Sequence, residues 1–290
     1  MNLFDSHCHL YDEPNPEKII EDAALNGVTG FIIVGTSLTT SKKTLEVASE
    51  LKNKFQELDI GCSVGLHPHD AKDSLDGFVN LLELAKNEYP ELLVAIGECG
   101  LDYYYNLSPK EVQKSVFKSQ IELAKQFGLT LVVHTRDAWE DTFEILDQCI
   151  SDSGPHDSSL NGSSLNGSSL NGSSLNGSSL NGFSVVIHCF TGGPTELEEC
   201  IRRNFVVSFS GIVTFKKSIE LQQAAQACPL DKLLIETDSP FLAPEPYRGK
   251  PNQPKNVTEV AKKIAVLKNI TTDEIASSTY ETTVATFKIS

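Results

Sequence analysis

Thr130-Leu131-Val132-Val133-His134 is short, rich in β-branched residues, apolar on both faces, and ends on a histidine. A run without polar alternation suits a strand of a parallel sheet covered by helices, where both faces are removed from water. The pattern returns in Val185-Val186-Ile187, again followed by a histidine, His188. Working outward, the sequence predicts eight strands: Leu3–His7, Phe31–Gly35, Ile60–His67, Leu92–Glu98, Thr130–His134, Ser184–His188, Val206–Gly211 and Leu233–Asp238. Amphipathic stretches fill the gaps at Pro16–Leu25, Thr40–Glu57, Leu75–Glu88, Pro109–Phe127, Trp139–Ile150, Thr195–Arg203, Ile219–Ala227 and Thr258–Leu267. Ser108-Pro109-Lys110-Glu111 predicts a helix start, with Ser108 as the cap and Pro109 at the first helical position. Gly27 and Gly128 follow helical runs, where a left-handed cap is expected. Eight βα units predict an α/β fold of one (β/α)₈ TIM barrel. An open doubly wound sheet is the alternative, but no glycine-rich phosphate fingerprint follows the first strand.

The 290 residues carry 24 Lys+Arg against 39 Asp+Glu, a formal net charge of −15. With 40% hydrophobic and 22% charged residues, a sizeable core forms and wholesale disorder is excluded. The negative balance argues against gripping polyanions through a broad basic surface. Any activity on nucleic acid must then rest on local charge or on metal ions. No stretch approaches the ~20 apolar residues of a membrane-spanning helix. No basic region followed by an apolar core opens the chain, so no secretory signal is visible. Seven cysteines, an odd number without paired short spacing, suit a reducing compartment. The cytoplasm is the expected location, with the nucleus as the alternative, and no membrane partner is expected.

Residues 158–182 read SSLNG five times in succession. Gly and Ser bury too little apolar area to offset ordering entropy, so a disordered, solvated loop is expected. A solenoid would need longer units with a sustained hydrophobic face. Asn161, Asn166, Asn171 and Asn176 open Asn-Gly-Ser triplets, which without a secretory signal are products of the repetition. The expected organisation is one barrel over residues 1–290, interrupted by this loop between a helix and a strand on the face away from catalysis.

The informative feature is what ends the strands. Of the seven histidines, His7, His9, His67, His69, His134 and His188 fall at predicted C-terminal strand ends or in the loop just after, and only His156 lies elsewhere. Glu98 and Asp238 end two further strands. In a barrel these ends converge on one mouth. Extended backbone points His7 and His9 to one side and Cys8 to the other. Alone, that pair reads equally well as two hydrogen-bonded structural histidines. Joined by Glu98, His134, His188 and Asp238, it points to metal. Four imidazoles and two carboxylates exceed one tetrahedral zinc and suit two divalent ions sharing a carboxylate. Cys8, Cys99 and Cys189 adjoin these positions, but alternation turns them away, as buried small hydrophobes.

The segments Phe4-Asp5-Ser6-His7-Cys8-His9, Gly65-Leu66-His67-Pro68-His69, Gly97-Glu98-Cys99-Gly100-Leu101-Asp102-Tyr103, His134-Thr135-Arg136-Asp137-Ala138, His188-Cys189-Phe190-Thr191-Gly192 and Glu236-Thr237-Asp238-Ser239-Pro240 occur in this order. Together they resemble the TatD family of metal-dependent hydrolases, within the amidohydrolase superfamily. Leu242-Ala243-Pro244 and Arg248-Gly249-Lys250-Pro251-Asn252 extend the resemblance, and the SSLNG insertion departs from it. The resemblance implies hydrolysis of DNA phosphodiesters, as a 3′ to 5′ exonuclease acting on 3′ ends or single strands through a water activated by two metals. It places one ion on His7, His9, Glu98 and Asp238 and the second on Glu98, His134 and His188. Glu98 then bridges, while Asp238 orients the water or accepts its proton and returns one to the leaving oxygen. Where superfamily relatives often carry a modified lysine bridge, this chain has Glu98.

The ions are Mg, Mn or Zn: imidazole-rich ligation suits Zn or Mn, whereas family nucleases are commonly described with Mg. The alternative activity is a metal-dependent esterase, such as a D-aminoacyl-tRNA deacylase, which needs the same water in a different pocket. A non-enzymatic binding protein would be expected to lose ligands, and all six positions are filled. His67 and His69 suit either phosphate contact or loop structure. Arg136 suits a phosphate clamp or a salt bridge to a helix-start carboxylate. Tyr103, with Tyr104 and Tyr105, suits base stacking or packing, and Arg248 and Lys250 suit a rigid rim loop that meets substrate. Deleting Ser158–Gly182 is expected to leave the specific activity of the folded protein unchanged; a large loss in a well-folded deletion would make the repeat functional.

Overall fold

The computed structural model describes residues 2–151 and 183–289. The repeat, His156 and the expectation of disorder over Ser158–Gly182 lie outside the described residues. Eight strands, β1 (Leu3–Cys8), β2 (Val28–Val34), β3 (Asp59–Val64), β4 (Leu93–Asp102), β5 (Thr130–Arg136), β6 (Val185–Ile187), β7 (Val206–Phe209) and β8 (Leu233–Ile235), form one sheet. Each pairs in parallel with the next in the chain. The ring nearly closes through the segment after β8: Asp238 N–H donates to His7 O at 2.9 Å and His9 N–H to Ser239 O at 2.8 Å. Helices α1 (Pro16–Ala24), α2 (Leu38–Lys54), α3 (Phe78–Glu88), α4 (Lys110–Phe127), α5 (Trp139–Ser151), α6 (Pro194–Arg202), α7 (Ile219–Ala227) and α8 (Val257–Lys268) follow the eight strands in turn, giving the (β/α)₈ barrel.

Local expectations fail in instructive places. Glu98 does not end its strand, because β4 runs on to Asp102, and β5 passes His134 to reach Arg136. β8 stops at Ile235, so Asp238 stands in the loop beyond it. Ser108 does not cap α4: Pro109 is the flanking residue and the helix begins at Lys110. The Ser108 hydroxyl instead donates to His69 O at 2.8 Å and accepts from Lys72 N–H, which ties the loop after β3 to the one after β4. Gly128 does cap α4 in the left-handed region, at φ +67°.

A ninth helix, α9 (Thr272–Phe287), has no counterpart in the hydrophobic periodicity. Its buried face includes Thr279, Thr283 and Thr286, which read as polar in sequence. Inside the helix, the Thr279 and Thr283 hydroxyls donate to Ile275 O and Thr279 O, so each satisfies itself and can be buried. The legible signal was Thr271-x-x-Glu274, a capping box with both arms made.

The core has two layers. The larger lies between strands and helices, and the smaller fills the barrel with Phe4, Ile32, Val34, Val94, Val132, Val186, Val206 and Leu234. Phe287 of α9 joins this inner set, Tyr280 packs edge-on to Phe4, and the Thr130 hydroxyl donates to Thr286 O at 2.7 Å. These contacts fall on the early residues of the strands, so α9 plugs the N-terminal end and leaves the C-terminal end for chemistry. Among the described residues, no helix is long and apolar enough to cross a membrane. Phe287→Ala is expected to destabilise the fold by about 3–5 kcal/mol, as a buried aromatic truncation does. Denaturant titration against the exposed-site control Val266→Ala reads the difference.

Candidate metal centre

The C-terminal mouth opens into a cavity of about 850 Å³ lined by His9, Glu98, His134, His188 and Asp238. His7 lies alongside, fully buried. Glu98, only 4% exposed, is the centre of the arrangement. Its Oε1 stands 2.8 Å from His188 Nε2, 3.0 Å from His134 Nδ1 and 3.2 Å from His67 Nε2. Its Oε2 stands 3.5 Å from His7 Nε2 and 3.8 Å from His9 Nε2. Asp238 Oδ1 completes that second side, at 3.4 Å from His9 Nε2 and 3.8 Å from His7 Nε2. The two oxygens of one carboxylate thus face two different sets of imidazoles. Two potential metal-binding clusters follow, His7–His9–Glu98 and His67–Glu98–His134, and a third joins His7 and His188 to Glu236.

Backbone geometry holds Glu98 in place. Gly97 adopts φ +142°, which disfavours any side chain, and a Cβ at Gly65 would stand 2.6 Å from the Gly97 backbone. The Ser63 hydroxyl donates to Gly97 O at 2.7 Å, and Glu98 N–H donates to Gly35 O. β2, β3 and β4 therefore meet at contact distance just where the carboxylate emerges.

The hydrogen bonds made by the far ring nitrogens decide what the near ones present. His9 Nδ1 lies 2.9 Å from Val34 O, which can only accept, so Nδ1 carries the proton and the neutral ring turns a lone pair at Nε2 toward Asp238 and Glu98. His134 Nε2 lies 3.2 Å from Asp102 Oδ2 and its Nδ1 3.0 Å from Glu98 Oε1, so a neutral ring that donates to Asp102 turns its Nδ1 lone pair toward Glu98. Both ring nitrogens of His7 are buried without a hydrogen-bond partner. Acceptors aimed at acceptors repel unless a cation or a proton lies between them, so this donor set fits divalent metal. His67 differs. Its Nδ1 accepts from His69 N–H at 3.2 Å, so the neutral ring carries its proton on Nε2 and offers a donor rather than a ligand lone pair.

The proton affinities express the same crowding. Burial pushes the Glu98 carboxyl up, but His188, His67 and His134 outweigh it and hold it well below the usual carboxylate range. Burial disfavours a charged His188, yet Glu98 and Glu236 raise it well above an ordinary histidine. His7 goes the other way, lowered by burial and by neighbouring His188, whose ring stacks on it at 3.9 Å.

Around this centre stand carboxylates that the sequence reading did not single out. Asp102 Oδ2 lies 3.0 Å from His69 Nε2 as well as beside His134, and its other oxygen accepts from Tyr105 N–H. Burial opposes its ionisation, but His134, the Tyr105 N–H and His69 hold the Asp102 carboxyl well below the usual range. Glu236 Oε1 lies 3.3 Å from His188 Nδ1 and accepts from Cys189 N–H. Asp5, pushed up to about 8 chiefly by burial, accepts from the Thr237 N–H and hydroxyl and so fastens β1 to the segment bearing Asp238. All three are buried, 0% exposed, and it is that burial, which the residues alone do not reveal, that marks them out.

Of the weaker sequence-level candidates, His67, His69 and Arg136 line the cavity. Arg136 makes no ion pair among the described residues; its guanidinium stacks 4.1 Å over Tyr104 and 4.8 Å over Tyr105. Tyr103 is not among the cavity-lining residues: its hydroxyl donates to Asp141 and Lys110 covers its ring. Tyr104 and Tyr105 line the cavity instead, 59% and 53% exposed. Arg248 lies outside the lining too, stacked 4.0 Å over Phe215. Cys8 and Cys99 turn away into the core, whereas Cys189 lines the cavity, because it follows β6 at φ +43° and strand alternation has ended.

Comparison with known proteins agrees with this geometry. The family model described as TatD related DNase matches residues 4–288. The metal-dependent hydrolase YabD of Bacillus subtilis is 37% identical over 291 residues, covering 99% of each chain. The 3'-5' ssDNA/RNA exonuclease TatD of Erwinia amylovora is 30% identical over 269 residues, 91% of this chain and 90% of its own. The crystal structure of YJJV, a TatD homolog from Escherichia coli, superposes with a TM-score of 0.79 at 24% identity, over 99% of this chain and 98% of that one. Gly65→Ala, which presses a methyl group against the Gly97 backbone, is expected to cost about 1–3 kcal/mol and to lower metal content. Thermal unfolding and elemental analysis of the purified variant check both.

Proposed function

This chain belongs to the TatD family of metal-dependent hydrolases, within the amidohydrolase superfamily, and from that premise we propose that it hydrolyses DNA phosphodiesters as a 3′ to 5′ exonuclease. The observation that carries the reading is Glu98, whose two oxygens face two separate imidazole sets beside one open cavity. In this reading His7, His9, Glu98 and Asp238 hold one divalent ion, and Glu98, His134 and His188 hold the other. Bound there, two ions supply Lewis acidity, lowering the pKa of water and neutralising charge on phosphate oxygens.

The chain's own residues do the rest. Asp238, ionised because His9 and His7 outweigh its burial, reaches the cavity and takes a proton from the attacking water. It then returns that proton to the leaving 3′ oxygen. His67 Nε2–H donates to a non-bridging phosphate oxygen, with its tautomer held by the His69 N–H. Arg136, without an ion pair among the described residues and stacked on Tyr104 and Tyr105, offers a planar donor fork to phosphate. The exposed faces of those tyrosines offer stacking surface to the terminal bases.

Hydrolysis of labelled single-stranded DNA, duplex DNA, RNA and aminoacyl-tRNA, each with Mg²⁺, Mn²⁺ and Zn²⁺, tests the proposal. Single-stranded DNA is expected to be shortened from its 3′ end; turnover of aminoacyl-tRNA alone would replace the nuclease by the esterase. Prolonged chelation is expected to abolish activity, with restoration on adding metal back, and an unaffected rate would refute the two-ion reading. Asp238→Asn is expected to lower kcat by about 10²–10⁴-fold, the range for loss of a general acid–base, with an unchanged circular dichroism spectrum. Near-normal turnover in that variant would remove Asp238 from the chemistry.

A further inference from the structure

In a chain of net charge −15, a group of cations without carboxylate partners is informative. Six lysines on the outer helices and loops make ion pairs among the described residues, as in Lys18–Asp22, Lys43–Asp12, Lys114–Asp141 and Lys262–Glu259. Lys216, Lys217, Arg248 and Lys250 do not: all four are exposed, and none makes an ion pair among the described residues. They sit on two neighbouring loops of the C-terminal face, one after β7 and one after β8. Apart from Glu236 and Asp238, which belong to the metal centre, the carboxylates of the same segments are Glu220 and Glu245, so the outer rim carries four cations against two acids.

The rim is built rather than merely exposed. Glu245 N–H donates to the Thr214 hydroxyl at 2.9 Å, which joins the two loops. The Gln222 amide donates to Val213 O and Phe215 O, holding the first loop on α7. The Asn252 amide donates to Thr237 O, holding the second beside Asp238. Arg248 lies 4.0 Å over the Phe215 ring. The surface is continuous with the cavity through Ile212, Leu242 and Phe241, the last 59% exposed and edge-on to His9. Cations interleaved with exposed aromatic rings are the chemistry that grips a single strand, by phosphate attraction and base stacking.

We propose that this rim, Phe215–Lys217 together with Phe241 and Arg248–Lys250, is a second binding site, which holds the phosphates of a nucleic-acid single strand beyond the scissile bond. The proposal rests on the phosphodiesterase reading of the cavity. It makes the protein selective for a strand over a short diester, because a short diester fills the cavity without reaching the rim.

The test compares wild type with a Lys216→Gln/Lys217→Gln/Lys250→Gln variant of the full chain. Turnover is measured on an oligothymidylate of about a dozen nucleotides and on bis(p-nitrophenyl) phosphate. Binding of the same oligonucleotide, fluorescein-labelled, is followed by anisotropy under chelation across a salt series. The ratio of kcat/KM on the strand to that on the short diester is expected to fall about tenfold, and the slope of log Kd against log salt to fall by about 2, since each phosphate contact to a single strand contributes ~0.7. An unchanged slope would overturn the rim site while leaving the cavity's chemistry standing. If wild type cleaves neither diester, the phosphodiesterase reading fails, and the binding slope alone then decides for or against the rim. Displacement of the strand by polyglutamate as readily as by unlabelled oligonucleotide would overturn the assignment to nucleic acid.

Discussion

One buried carboxylate organises the mouth of this barrel. Among the described residues Glu98 pairs with no lysine or arginine; its ion-pair partners within 4 Å are imidazoles on both oxygens. Taking a carboxylate out of water costs several kcal/mol unless charge of the opposite sign is supplied. Everything nearby reads as a response to that demand: strands β1, β4, β5 and β6 each deliver a histidine or the acid itself to one point. The glycine contacts between β3 and β4 let those backbones approach closely enough for the groups to meet.

The outer carboxylates matter as much as the inner one. Val34 O accepts a hydrogen bond from His9, and a neutral His134 that donates to Asp102 presents its lone pair inward as His9 does. Glu236 Oε1 stands 3.3 Å behind His188 Nδ1, which makes no hydrogen bond, and acts there as a nearby negative charge. Partners of this kind orient a ligand and raise its basicity, so the potential metal-binding clusters are preorganised by the protein itself. His67 is the counterexample that shows the rule, since a backbone N–H occupies its Nδ1 and leaves a donor facing inward. Two histidines beside the same oxygen therefore have different capacities, fixed by what lies behind them.

The two ends of the barrel divide the labour between stability and chemistry. α9 closes the N-terminal end with Phe287 and self-satisfied threonines. The C-terminal end carries the cavity, the tyrosine pair with Arg136, and a rim of cations that make no ion pair among the described residues. On the proposed function, a negative overall balance is compatible with a phosphate-bearing substrate because the attraction is local: acids that hold cations would become part of it, and four cations stand at one edge of the mouth without an ion pair among the described residues.

Much of this was legible in the residues. Apolar runs such as Leu131–Val133 and Val185–Ile187 specify a covered parallel sheet, because no other common setting removes both faces from water. Polar residues at the ends of such runs specify which end of the barrel bears the chemistry. What composition and spacing could not supply was phase and depth. Phe4 packs inside the barrel, so strict alternation would have put Cys8 inside and His7 and His9 outside; the register shift between Asp5 and Cys8 reverses them. A similar shift between Ile96 and Cys99 lets both pack outward while Glu98 points in. Asp102, Glu236 and the threonines of α9 look like ordinary polar residues until burial shows what each must satisfy. The sequence by itself determined the fold and the group of residues at its mouth, since both follow from local patterns of apolar and polar side chains. Only the tertiary structure decided which nitrogen faces inward, which tyrosines meet the cavity and which cations stay unpaired, because each depends on a partner far away in the chain.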